Sequence, residues 1–591
     1  MTPPAPPSDG APAGIPRPAA ASRTRAGPLR PCETLPGGTA PSYACPGPSS
    51  ARRPGRLSKT LWAWCLGAGH ARAVMSFPGA NELTEMIRTT LAFAVGTAAL
   101  FVAAAFAGND APVRTDLTDE DLARVAAVTA PAEDFTEAEP FEAMQGGAAT
   151  SRKKINRDAF SNFSANISFA EEETFKLGNA LFRKLWVSSP SSTQASDGLG
   201  PLFNARACQS CHLKDGRGHP PEGIEESSAS MFLRVSVPPS TPEEEAMIAN
   251  LETDVIAEPT YGTQIQDLAV PGLHGEGTME ITYTEQEVTL DDGTVVSLRA
   301  PEYALTDPGY GELHPDAMFS PRIAPPMIGL GLLEAVPEAD IAAWADPDDA
   351  DSDGISGRLR HVRDPETGEV VLGRFGWKSG APSVRAQTAG AFAGDIGIST
   401  PLVNKPHGDC TANQPDCLAA QTGEQARLGE TEAPDPVLDL VTFYSQNLAV
   451  PARRDVDDPT VLAGKELFYG LGCTSCHRPK YVTSREAEID ALKFQLIWPY
   501  TDMLLHDMGE GLADHRPEGT ANGYEWRTPP LWGIGLTETV SGHTLFLHDG
   551  RARSLTEAIL WHGGEAQAAR DGFAALDAAD RDAVLTFLES L

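Results

Sequence analysis

Cys473-Thr474-Ser475-Cys476-His477 decides how this chain is read, and it has a twin at Cys208-Gln209-Ser210-Cys211-His212. Two thiols two residues apart, with a histidine directly after the second, suit covalent attachment of one haem. Each thiol forms a thioether and the imidazole takes one axial position on the iron. A bare C-x-x-C would fit a redox disulfide or half a zinc site equally well. The adjacent histidine and the repetition favour haem. Upstream of each motif stands a similar helix signature, Gly178-Asn179-Ala180-Leu181-Phe182 and Gly464-Lys465-Glu466-Leu467-Phe468. A helix-plus-motif unit that occurs twice predicts two related cytochrome c-like haem domains.

Working outward, the expected fold class is mainly α, with a β-containing insertion in the first haem domain. An amphipathic helix is predicted over 171–186, before the first motif, and another over 436–447. Between them, 231–237, 279–284 and 288–298 read as strands, with Asp291-Asp292-Gly293 as a hairpin turn. Pro337 with Glu338 suits a helix start, and 577–591 ends the chain with Val584, Phe587, Leu588 and Leu591 on one face. The domains expected are a leader at 1–107, an extension at 108–165, a first cytochrome c domain at 166–455 and a second at 456–591. The insertion falls at about 221–335.

Residues 1–74 are rich in Pro, Gly, Ala and Arg without hydrophobic periodicity, as in a disordered or untranslated leader. From Met86 a secretory signal follows: Arg88, an apolar run over 91–106, and the cleavage site Ala105-Phe106-Ala107. The run is short for a membrane span and lacks a basic stop, so a periplasmic protein with no retained membrane segment is expected. Of nine cysteines, Cys32, Cys45 and Cys65 leave with the leader and four belong to the motifs. Cys410 and Cys417 remain to close a disulfide, as export permits. The formal net charge of −35 at pH 7 excludes nucleic acid as a partner. It suits either a small basic electron-donor protein or solubility alone.

What occupies the iron's far side separates electron transfer from binding of a small oxidant. For the second motif His562 leads: Ser554 and Glu557 suit a capping box, and Leu555, Ala558, Ile559 and His562 share a helical face. Met508 is its rival. For the first motif only His219 lies near, and an open iron is the alternative. His548, before the capping box, is a polar group able to face a cavity. Asp349, Asp351 and Asp353, followed by Gly354, form a calcium candidate, although Arg360 stands where an EF-hand needs glutamate. An acidic surface turn is the alternative.

Three further stretches carry a resemblance: Tyr500-Thr501-Asp502-Met503-Leu504-Leu505-His506-Asp507-Met508-Gly509, Trp526-Arg527-Thr528-Pro529-Pro530-Leu531-Trp532, and Phe546-Leu547-His548-Asp549-Gly550 with Leu555-Thr556-Glu557-Ala558. In these the chain resembles bacterial di-haem cytochrome c peroxidases and the di-haem enzyme that matures methylamine dehydrogenase. It is most similar to their di-haem oxidoreductase branch. The resemblance implies that the haem on Cys208, Cys211 and His212 binds oxidant and that the haem on Cys473, Cys476 and His477 receives electrons. It also implies that Trp377 lies between the haems, that Gln387 is an active-site glutamine and that His548 joins the peroxide pocket. His562 falls where the family has Met or Tyr as sixth ligand, and the family's catalytic glutamate is replaced at best by Asp395.

The expected function is an exported di-haem c-type, peroxidase-like oxidoreductase that reduces hydrogen peroxide or another small oxidant at the first haem. Electrons would arrive through the second. The rivals are oxidation of a protein or organic substrate through long-lived oxidised haems, a pure di-haem electron carrier, and a thiol–disulfide enzyme.

Overall fold

The helix that opens the first repeat, α1 (Phe169–Phe182), begins at a capping box in which Ser168 and Glu171 each accept from the other's backbone. The structure, a computed structural model, describes residues 113–221, 230–425, 427 and 429–591; the predicted leader and signal peptide lie outside them. Further along are α2 (Cys208–Cys211), β1 (Met231–Ser236), β2 (Thr278–Thr289), β3 (Val295–Thr306), β4 (Met318–Ile323), α3 (Val384–Asp395), α4 (Asp435–Gln446) and α5 (Pro459–Gly470). A 3-10 turn, Cys473–Ser475, carries the second motif. Then come β5 (Leu505–Asp507), β6 (Glu525–Arg527), α6 (Leu555–Leu560) and α7 (Ala578–Ser590). The described residues belong to one compact unit.

The expectation of a mainly α protein is corrected: helix accounts for only 30% and strand for 17%. With 55 glycines and 49 prolines in the chain, few stretches run long without a residue that ends a helix. Loops instead pair briefly, and every sheet among the described residues is two-stranded. The largest is the β2–β3 hairpin, twelve pairs from Thr278↔Thr306 to Thr289↔Val295. Its turn lies at Asp291-Asp292-Gly293 as predicted, with Gly293 at φ +85°. The two stretches read as separate strands before that turn are one continuous strand, because the charged residues between them pair across the hairpin.

The sequence repeat has the same local geometry in both places. Gly178 lets α1 cross α4, since a Cβ there would collide with the Leu440 carbonyl and the Tyr444 side chain. Gly464 does the same for α5 against α7, at the Ala583 carbonyl and Phe587. The repeat's phenylalanines then reach the motif histidines: Phe182 lies 6.2 Å from His212 and Phe468 lies 6.2 Å from His477, ring centre to ring centre. Phe182 in turn packs on Tyr444 and Phe468 on Phe587, each at 5.1 Å.

The N-terminal extension, in which the sequence shows no chemistry, is stitched into α5 by buried ions. Lys465 Nζ lies 2.8 Å from Glu139 and 2.9 Å from Glu142, and Arg453 also pairs with Glu142.

Candidate functional site

Each motif histidine is oriented by a hydrogen bond from its own ring. His212 Nδ1 donates to the Pro325 carbonyl at 2.9 Å and His477 Nδ1 to the Tyr500 carbonyl at 3.0 Å. That leaves Nε2 of both as the donor atom for a metal. Burial holds both imidazoles down to about 4, so each is neutral and able to ligate at neutral pH. The thiols beside them are pushed up by burial, Cys208 and Cys473 to about 12. Among the described residues the one disulfide is Cys410–Cys417.

The far sides of the two sites differ. The second has a second histidine: His562 is an electrostatic neighbour of His477, and its Nδ1 donates to the Ala558 carbonyl at 2.7 Å. His562 lies just beyond α6 rather than within it, because the helix stops at Leu560. Only half of the expected capping box forms. Ser554 accepts from the Glu557 N–H, but Glu557 turns its carboxylate to Arg553. Met508, the rival ligand, packs into the apolar core, and its carbonyl lies against Gly563. At the first site the forces on His212 are burial and the Pro325 carbonyl. His219 instead bonds its own Pro220 carbonyl at 2.7 Å and meets the His543 ring edge-on at 5.3 Å.

Trp377 and His548 come together. Trp377 Nε1 donates to the Ile323 carbonyl at 2.9 Å, the Ile323 N–H donates to the His548 carbonyl at 2.8 Å, and the two rings meet edge to face at 6.4 Å. His548 also stacks on Trp526 at 3.8 Å, 14° from parallel. This burial holds the His548 imidazole down to about 4. Lys378, fully buried and paired with Asp514 at 2.8 Å, lies 4.7 Å from the Trp526 ring. Arg217, five residues past the first motif, donates to the Leu547 carbonyl at 3.0 Å and lies 5.9 Å from Trp377. Trp526, Lys378 and Arg217 were missed in the sequence. Trp526 stands within the second resembling stretch, whereas nothing in the sequence marks Lys378 or Arg217.

Gln387 and Asp395 both lie on α3, but eight residues of helix separate them by roughly 12 Å along its axis. Gln387 is exposed and neighbours Gly376, next to Trp377. Asp395 is close enough to both first-motif thiols that its charge helps push them up. Burial raises the Asp395 carboxyl to about 6, against the charge of Arg234 and a 3.1 Å hydrogen bond from Gln264. Gln387, Gly390 and Gly394 share an open face of α3, where a Cβ at either glycine would meet no atom within 4 Å.

Another cluster unnoticed in the sequence lies behind the second motif. His506 Nε2 is 2.8 Å from Asp502, its Nδ1 is 2.6 Å from Glu565, and Cys476 Sγ lies 3.6 Å from Nδ1. Although burial opposes it, Asp502 first and then Cys476 hold this imidazole well above its ordinary range. Asp502 and His506, four apart in the first resembling stretch, were the available signal.

Of the calcium candidates Asp349 and Asp351 cluster with Asp346 in one loop, Asp353 lies outside that cluster, and all four carboxylates accept from backbone N–H groups of the loop.

A family described as "Di-haem oxidoreductase, putative peroxidase" matches residues 141–591. The chain belongs to it. No curated protein and no solved structure matches the chain. Di-haem oxidoreductases imply two haems, and the residues present fit two. Each site offers an imidazole Nε2 fixed by its partner nitrogen, with two thiols beside it, and at the first site α3 presents a glycine-lined face with room for a flat ring.

Proposed function

We propose that this di-haem oxidoreductase is an exported, peroxidase-type enzyme. Its haems would be held by thioethers at Cys208 and Cys211 and at Cys473 and Cys476, with His212 and His477 as axial ligands. The observation that carries this reading is the asymmetry of the two sites: the charge of His562 acts on His477, whereas His219 bonds its own Pro220 carbonyl and packs on His543. An iron with two imidazoles favours electron transfer, and one with an open position favours binding of a small oxidant. Bound at these sites, haem would supply an iron that takes up peroxide at the first and electrons at the second.

The chain's own residues would do the rest. Asp395, with a carboxyl near 6, is able to take a proton from one peroxide oxygen and return it to the leaving one. Trp377 is held rigidly by Ile323 and would pass electrons between the sites. His548, neutral, stacked on Trp526 and edge-on to Trp377, would order the pocket wall. A thiol–disulfide activity fits poorly, because burial pushes Cys208 and Cys473 away from the thiolate form. A small basic electron donor suits the acidic surface, and the periplasm suits the disulfide.

Electron paramagnetic resonance of the oxidised protein, with peroxide and cyanide titrations, tests this. One high-spin and one low-spin centre are expected, with cyanide converting the first. The proposal fails if both irons are six-coordinate in every redox state and neither peroxide nor oxygen oxidises the reduced protein.

A further inference from the structure

In the β1–β4 ribbon Met231 stands opposite Ile323 and Arg234 opposite Ser320. Side chains alternate across a strand, so Met231, Leu233 and Val235 take one face and Phe232 and Arg234 the other. The first three are buried in the apolar core. Phe232 packs with Ala205, Cys211 and Ala324, which sets the second face against the first haem motif.

Arg234 is the next residue on that face. Its backbone bridges to Gln264, whose Nε2 donates to Asp395 Oδ1 at 3.1 Å, and its charge acts on the Asp395 carboxyl. Yet Arg234 Nε is buried and has no hydrogen-bond partner among the described residues. A buried guanidinium donor left unfilled is costly, and a planar fork of this kind matches an oxygen anion.

We propose that Arg234 is an oxyanion-binding residue of the first haem site, holding beside Asp395 either a carboxylate of the haem or the anionic oxygen of a bound oxidant. This rests on the reading that His212 carries a haem. The shared chemistry is a negatively charged oxygen accepting from the guanidinium, and the two sources are separable.

The test uses the full chain with both haems, verified by intact mass, as the parent, Arg234→Gln and Arg234→Lys forms. Fluoride is titrated optically into the oxidised protein, and the potential of the first haem is measured by anaerobic redox titration. If Arg234 faces the oxidant, Arg234→Gln weakens fluoride binding at least tenfold and keeps both haems. If it faces a haem carboxylate, the potential falls and fluoride binding holds, or Arg234→Gln loses the first haem while Arg234→Lys keeps it. Lysine restores part of either effect. The proposal is overturned if the glutamine form matches the parent in both measurements, or if the lysine form, with both haems kept, departs from the parent as far as the glutamine form does. A parent lacking two haems would instead sink the underlying reading.

Discussion

At the scale of single residues, burial sets the chemistry of both sites more than nearby charge does. Asp395 shows this best: burial raises its carboxyl to about 6 although Arg234 and Gln264 both favour the charged form. A carboxylate that must first accept a proton is active only when ionised, so peroxide turnover should rise as pH passes upward through about 6. Asp395→Asn should abolish that limb and slow turnover by roughly 10²–10⁴-fold, as a pH–rate profile at constant haem content would show. An unchanged profile would remove Asp395 from the relay. Glu142 is the opposite case. Burial raises it, but Arg453 and Lys465 outweigh burial and leave it lowered. A carboxyl lowered on folding stabilises the protein above its unfolded value and loses that contribution as pH falls through the folded one. Glu142→Gln, which leaves Arg453 without its carboxylate partner and Lys465 with Glu139 alone, should cost about 3–5 kcal/mol in denaturant unfolding at neutral pH. The difference from the parent should shrink in acid.

Among elements, the two helix crossings and the hairpin define the frame. Gly178→Ala or Gly464→Ala would press a methyl into a backbone carbonyl of the facing helix, so either should destabilise by about 1–3 kcal/mol or more. Thermal melts of the haem-loaded variants would show it. The β2–β3 hairpin reaches out of the first half to hold the loop that carries His548. Arg299 donates to the carbonyls of Arg551 and Gly550, both at 2.9 Å, and Tyr303 donates to Asp549 at 2.9 Å. Tyr303→Phe should therefore loosen residues 546–551 by about 1–3 kcal/mol. Hydrogen exchange would read this as faster exchange confined to that loop, and equal protection in the variant would mean the hairpin only covers it.

Over the whole molecule, the net charge of −35 would make encounter with the proposed basic donor salt-dependent. Reduction by a basic donor protein should slow as ionic strength rises from about 0.01 to 0.15 M, where the screening length falls from about 30 to 8 Å. A neutral small-molecule reductant should show no such slope. Stopped-flow reduction with the two donors in parallel separates steering from intrinsic electron transfer. The same scale explains why the fold is not mainly α. Contacts between distant segments include the Lys465–Glu139 pair, which ties a loop of the extension to α5, and the Arg217–Leu547 bond, which ties loop to loop.

By itself the sequence determined what is local. The paired motifs, the repeat ahead of them and the Asp291-Asp292-Gly293 turn were all legible, because spacing and turn chemistry act within a few residues. The Cys410–Cys417 pair was legible by elimination among six remaining cysteines. Helix ends were less so: Ser554 and Glu557 suggested a helix that includes His562, but Glu557 found Arg553 and the helix stopped at Leu560. Only the tertiary structure decided which side chains share a site. Lys378 over Trp526, Trp526 against His548, Phe232 against Cys211 and the two carboxylates on His506 join residues from separate segments. No periodicity records such pairings, because burial and long-range packing create them only once the chain has closed.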